Sequence, residues 1–190
     1  MNVICISGKA QNGKDTTAGF LKEALEADGY SVLIAHYGDL VKYICKTFFN
    51  WNGEKDERGR TLLQHVGTDI IRSRKPDYWV GFVADMLTFF SAEWDWVLIP
   101  DSRFPNEVDY LRQAGFNVTH VRVRRENFVS PLTPEQQAHP SETALDAVAP
   151  DYYIYNAGTL DDLRAEVSRL VADIDGFHQT SITELAAGAQ

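Results

Sequence analysis

Seven residues near the N-terminus constrain this chain more than any others. Gly8-Lys9-Ala10-Gln11-Asn12-Gly13-Lys14 spells G-x-x-x-x-G-K, a motif with a physical meaning only between a strand and a helix. Both neighbours are present. Val3-Ile4-Cys5-Ile6 is a short, wholly apolar run of the kind that forms a parallel strand covered on both faces. The stretch 17–25 favours a helix, which Gly29 closes. In such a loop the glycines let the backbone curl until its N–H groups face phosphate oxygens, and the helix N-terminus adds positive potential. Lys14 is then placed to reach the β- and γ-phosphates of a nucleotide. The bland alternative is a glycine-rich turn without a ligand. Chance alone gives this spacing in such a chain roughly one time in twenty, so the flanking strand and helix carry the assignment.

The rest of the chain repeats the strand–helix alternation. Strands are expected at 31–35, 96–101, 117–124 and 152–155, and helices from Asp39 (as N-cap) onward, at 60–73, 77–91, 106–114 and 159–173. Residues 50–58 read as a polar loop. Residues 126–140, with three prolines and no apolar period, read as a loop or lid. The alternation implies a parallel sheet covered on both faces: an α/β fold of three layers, α/β/α, with five strands. No internal repeat or linker divides the chain. The reading is one domain over 1–175, including the lid-like segment, followed by a weakly patterned tail at 176–190.

Charge narrows the partners. Of the 27 acidic and 18 basic residues, 16 of each lie in 1–125, so the whole net charge of −9 comes from 126–190. A broad basic footprint for duplex nucleic acid is absent, whereas local cationic clusters suit a small anionic ligand. No apolar run approaches the ~18–20 residues that cross a bilayer, and the N-terminus lacks the basic start of a signal peptide. Cys5 and Cys45 are the only cysteines, which points to reduced thiols and a cytosolic protein.

One departure from the usual loop is informative. The residue after Lys14 is Asp15 rather than Ser or Thr, with Thr16 and Thr17 behind it. Asp15 is either a hard ligand for Mg²⁺ or a helix cap. The run 6–17 resembles the phosphate loop of phage-type deoxynucleoside monophosphate kinases, where Gly-Lys-Asp replaces Gly-Lys-Ser/Thr; animal phosphomevalonate kinases share the variant. Further segments resemble the same family: Gly38-Asp39-Leu40-Val41-Lys42, Gly67-Thr68-Asp69 with Arg72 and Trp79, Asp101-Ser102-Arg103-Phe104-Pro105-Asn106-Glu107, His139-Pro140-Ser141-Glu142-Thr143-Ala144-Leu145-Asp146, and the turn Asn156-Ala157-Gly158-Thr159-Leu160. The likeness covers about 1–175.

That resemblance implies a P-loop NTPase fold with a sheet of nucleoside monophosphate kinase type, and an ATP- and Mg²⁺-dependent kinase in the cytosol of a bacterium or phage-infected host. A homodimer is compatible with it. It implies nucleotide contacts at Gly8, Lys9, Asn12, Gly13, Lys14, Asp15, Thr16, Thr17 and Asn156, and acceptor contacts at Asp39, Lys42, Arg72, Trp79, Arg103 and Glu142. The residues themselves allow plainer roles. Asp101, at a strand end facing the ligand crevice, is a metal-shell carboxylate beside Asp15 and Thr16, or a turn residue. Arg103 is a bidentate phosphate clamp, or the ion-pair partner of Glu107. Asp39 and Lys42 hold the acceptor, or cap a helix and face solvent. Arg124 and Arg125 close over transferring phosphate as catalytic groups alongside Lys14 and Asp39, or form a surface cluster. Arg72 holds a phosphate and Trp79 stacks a base, or Trp79 belongs to the core.

The leading reading is transfer of the ATP γ-phosphoryl group to a deoxynucleoside monophosphate. Alternatives are a kinase for another small phosphorylated acceptor, or for hydroxymethylated bases in DNA, and a nucleotide-binding regulatory protein that hydrolyses little.

Overall fold

The β-branched and apolar runs assemble into one sheet of five parallel strands, β1 (Asn2–Ser7), β2 (Val32–Ile34), β3 (Trp96–Ile99), β4 (Asn117–Arg124) and β5 (Tyr152–Tyr155), in the order β2-β3-β1-β4-β5. This is a computed structural model, and it describes residues 1–126 and 128–187. β1 lies at the centre, and Val3 to Ile6 have no exposed surface. Their alternation divides the core in two. Ile4 and Ile6 pack with Leu98, Val121 and Val123 against α1 (Lys14–Ala27) and α8 (Leu160–Ala187). Val3 and Cys5 pack with Val97 and Ile99 against α2 (Gly38–Phe49), α4 (Tyr78–Phe89) and α5 (Pro105–Gln113). The three-layer, five-stranded expectation holds.

Between α2 and α4, α3 (Glu57–Gln64) runs directly into a π-helical stretch, His65–Arg72. Asp56 starts α3 by accepting the Gly59 N–H at 2.7 Å. Two short helices, α6 (Pro134–Ala138) and α7 (Pro140–Thr143), follow β4.

Three local expectations change. Asp39 is not the N-cap of α2; Tyr37 is, and Asp39 lies in the first turn. The end of that helix is covered from across the sheet, because the Asp101 carboxylate accepts the Tyr37 and Gly38 N–H groups at 3.1 and 2.8 Å. The proline-containing segment is not loop throughout: Thr133 and Gln136 form a capping box that starts α6; Asn127, part of the same 126–140 expectation, lies outside the described residues. The last helix does not stop near Asp173 but continues to Ala187. Of the expected tail, residues 188–190 lie outside the described residues.

Candidate active site

The loop after β1 has the backbone that the motif demands. Gly8 and Gly13 have φ of +145° and +96°, values that glycine alone adopts freely, and Gln11 between them is left-handed at +60°. Packing adds a second reason for both glycines. A Cβ on Gly8 would lie 2.5 Å from the Val123 carbonyl oxygen, and one on Gly13 2.7 Å from Asn156 Nδ2. Asn156 donates to the Asn12 carbonyl (3.0 Å), and Asn12 donates to that of Val123 (3.3 Å), so β4 and the β5–α8 turn hold the loop from outside. Lys14 folds back over it, its Nζ donating to the Gly8 and Lys9 carbonyls at 2.9 Å each. Only 6% of Lys14 is exposed. Burial, reinforced by nearby Arg103, pushes its ammonium down to about 7.

One cavity of about 510 Å³ opens at the C-terminal edge of the sheet, a size suited to a small-molecule ligand. Its wall joins the loop (Ala10, Gln11, Lys14, Asp15) to the starts of α2 and α5, to α3 and to α7. The cations Lys14, Lys42, Lys55, Arg60 and Arg103 all contribute to it. Strand-end residues supply much of its chemistry, as parallel sheets dictate: Asp101 follows β3 and His36 follows β2. His36 stands 3.5 Å from Asp15 and 3.7 Å from Asp39. Its contact with Asp15 draws that carboxyl below the ordinary range and raises the imidazole in return.

The segment 139–146 clasps the loop. Glu142 accepts the Ala10 N–H at 3.0 Å with one carboxylate oxygen and Arg103 at 2.6 Å with the other. Lys9 donates to the Glu142 carbonyl and pairs with Asp146, both at 2.6 Å. The loop amide and the arginine are thus already arranged around an anion, here a carboxylate.

Other expected residues fall differently. Arg103 does not pair through its guanidinium with Glu107. Glu107 is buried and accepts the Arg103 and Phe104 backbone N–H groups (2.6 and 3.0 Å), and its ion partner is Arg72. Burial pushes the Glu107 carboxyl up to about 7 against the pull of Arg72 and both N–H groups. Arg72 also donates to Asn106 and to the Pro76 carbonyl, and stacks over the Phe104 ring at 3.9 Å. Both of its terminal nitrogens thus serve the scaffold, while Arg72 also borders the cavity, as the expectation of a phosphate contact requires. Trp79 is a core residue, its indole donating to the Gly67 carbonyl at 2.9 Å, and it also contributes to the cavity wall. Thr17 lies on the buried side of α1 with no exposed surface and is not among the residues lining the cavity or the recesses beside the phosphate loop.

The two lid arginines separate. Arg124 stacks on Tyr153 at 4.5 Å and borders a recess with Gly8, Lys9 and Asn12. Arg125 reaches the Gln11 carbonyl (3.4 Å) and borders a recess of about 400 Å³ with Gly13, Thr16 and Asn156. Lys42, which borders the cavity, pairs at 2.7 Å with Asp39, which is not among its lining residues. Sequence reasoning missed His36, Lys55, Arg60 and Gln64. The strand-end rule that singled out Asp101 applies equally to His36. Lys55, Arg60 and Gln64 sit on a loop and a helix whose place over the cavity no spacing encodes.

Parallel strands ordered 2-3-1-4-5, with a G-x-x-x-x-G-K loop after the central one and a cation-lined cavity beside it, define a P-loop protein of the kinase fold. The sequence model for deoxynucleotide monophosphate kinases matches residues 34–167, more than half of the chain, and the chain belongs to that family. The match begins at β2, so the phosphate loop is an independent observation. Among relatives, the deoxynucleotide monophosphate kinase of Enterobacteria phage T4 is 33% identical over 110 residues, covering 57% of this chain and 43% of that protein. A putative deoxynucleotide monophosphate kinase of Acanthamoeba polyphaga mimivirus is 25% identical over 206 residues, covering 94% and 99%. The chain therefore spans less than half of the phage relative's length and nearly all of the mimivirus one's. Among solved structures, the Mycobacterium tuberculosis APS kinase in complex with AMPPNP and APS has a TM-score of 0.52 at 15% identity, covering 90% of this chain and 97% of that one, a likeness of fold.

Proposed function

We propose that this chain transfers the γ-phosphoryl group of ATP to the phosphate of a deoxynucleoside monophosphate, giving the diphosphate and ADP. The observation that carries this is that Lys14 and Arg103 line one cavity of mononucleotide size, in a chain of this family. The loop amides and Lys14 hold the donor phosphates, with the recess beside Asn156 and Arg125 for the rest of the donor. Arg103 and Lys42 hold the acceptor phosphate. Arg124 and Arg125 are the lid cations in this reading.

Mg²⁺ fits the oxygen donors present: Asp15 and Thr16 are exposed at the start of α1, and Asp101 stands at the end of β3. Two carboxylates and a hydroxyl suit an ion that binds mainly through phosphates and water; when bound, it neutralises charge on the donor phosphates. No base is required, since a phosphate monoester is already ionised near neutral pH, with its second pKa around 6. An acceptor phosphate oxygen attacks the γ-phosphorus and the bond to the ADP oxygen breaks. No helix among the described residues is long and apolar enough to cross a membrane, and Cys5 and Cys45 are free and buried. Both support the cytosol as the site of action.

The test is a coupled phosphotransfer assay over nucleoside and deoxynucleoside monophosphates, with oligonucleotides carrying hydroxymethylated bases as the contrast. Mononucleotides are expected to be phosphorylated and oligonucleotides not. Label transferred to modified DNA alone overturns the proposal in favour of an alcohol acceptor. ATP turnover that is indifferent to any acceptor removes the kinase reading.

A further inference from the structure

We infer, resting on the reading of Arg124 as a lid cation, that Tyr153 is its positioning residue: the ring sets the guanidinium beside the phosphate loop before a nucleotide arrives. β4 and β5 pair in parallel, with Arg122 opposite Tyr153 and Arg124 opposite Tyr155. Alternation separates the two faces of β5. Tyr152 and Ile154 turn to the core on the side of α8. Tyr153 and Tyr155 lie on the other face, the one that carries Arg122 and Arg124, and are 39 and 43% exposed. Neither ring belongs to the hydrophobic core.

Arg124 is what the rings hold. Its guanidinium carbon lies 4.5 Å from the centre of the Tyr153 ring, within the range of a cation–π contact. Its Nη2 donates to the Tyr153 hydroxyl at 3.5 Å. Tyr155 backs the same ring, with centroids 6.1 Å apart and planes 26° from parallel. Among the described residues no carboxylate pairs with Arg124, and the ring and hydroxyl of Tyr153 are the partners of its side chain. The choice of partner matters. A carboxylate there would cancel the charge that phosphate needs and compete for the N–H donors, as Asp146 does at Lys9. A ring face fixes the guanidinium plane while leaving the charge and most of the donors free. Arg124 borders the recess beside Gly8, Lys9 and Asn12, so ordering it in advance removes part of the entropy lost when phosphate is met.

Steady-state phosphotransfer by the full chain, with ATP and a deoxynucleoside monophosphate, tests it. Arg124→Ala is expected to lower kcat by about 10²-fold. Tyr153→Leu lowers kcat about 2–5-fold, the worth of an exposed cation–π contact, with the acceptor KM unchanged. Tyr153→Phe, which keeps the ring, and Tyr153→Trp, whose face is stronger, retain the wild-type rate. In the Arg124→Ala background Tyr153→Leu costs nothing further, whereas a tyrosine that only supports the fold gives the same loss in both backgrounds. If Tyr153→Leu fails to fold, replacement of Tyr153 by a fluorinated phenylalanine keeps the shape, weakens the ring face and carries the test. A defect in Arg124→Ala beside a wild-type kcat in Tyr153→Leu overturns the inference alone. So do additive losses in the double variant, or a kcat that rises in Tyr153→Leu. Wild-type kcat in Arg124→Ala removes Arg124 from the reaction and Tyr153 with it. A chain that phosphorylates no mononucleotide overturns the proposed function itself, and the role of Tyr153 falls with it.

Discussion

Lys14 is held under opposing demands. It must carry charge to meet phosphate, yet it lies almost fully buried with Arg103 nearby, and these push it down to about 7. Above that pH the ammonium gives up its proton in the empty protein, whereas an unfolded lysine keeps it to about 10.4. A polyanion in the loop reverses the balance by favouring the charged form. Nucleotide binding between about pH 7 and pH 10 is therefore expected to take up a proton, and below about pH 6 it takes up none, since Lys14 is already charged. Calorimetry in buffers of different ionisation enthalpy reads this directly. Lys14→Met should abolish the uptake and, by removing a stabiliser of the transferring charge, lower kcat by about 10²–10³-fold, with the thermal midpoint unchanged or raised. Undiminished turnover in that variant would remove the loop from the reaction.

At the scale of an element, the loop and the helix it starts place different demands on the same residue type. Gly13 has φ +96° and faces Asn156, whose amide would be 2.7 Å from an added Cβ. Gly19 lies inside α1 with nothing within 4 Å of its would-be Cβ. Gly19→Ala should raise stability by about 0.5–1 kcal/mol through the unfolded chain and the helix, leaving turnover intact. Gly13→Ala should cost a similar amount or more and weaken nucleotide binding, because the loop loses its grip on Asn156. Urea unfolding beside nucleotide titration separates the two, and equal behaviour of both variants would show that the loop's conformation is not specified by its glycines. Neither φ nor the Asn156 contact is visible from spacing alone, although the motif names the right glycine.

Across the whole molecule, Arg72 and Glu107 tie the end of the π-helical stretch to the start of α5 as a buried pair. Removing one partner of a buried pair leaves the other charge unpaired, at a cost of about 3–5 kcal/mol. Glu107→Ala and Arg72→Ala should each lower the unfolding free energy by that order, read as a fall in the urea midpoint at unchanged slope. An acceptor KM that rises in Arg72→Lys without loss of stability would instead return Arg72 to the ligand. The contrast marks where reading the chain alone succeeds. Strand–helix alternation, the apolar β1, the G-x-x-x-x-G-K loop and the strand-end position of Asp101 are local patterns, each set by neighbours in sequence, and the sheet, its layers and the place of the site follow from them. Partners chosen across the fold are not local. Arg103 meets Glu142 rather than Glu107, Asp101 covers the end of α2 in place of Asp39, and Lys55 and Arg60 arrive over the cavity from a polar loop and a helix. The residue types were determined by the sequence; which charge meets which was decided only when the chain closed on itself, because an ion pair is selected by distance and burial in space and leaves no period along the chain.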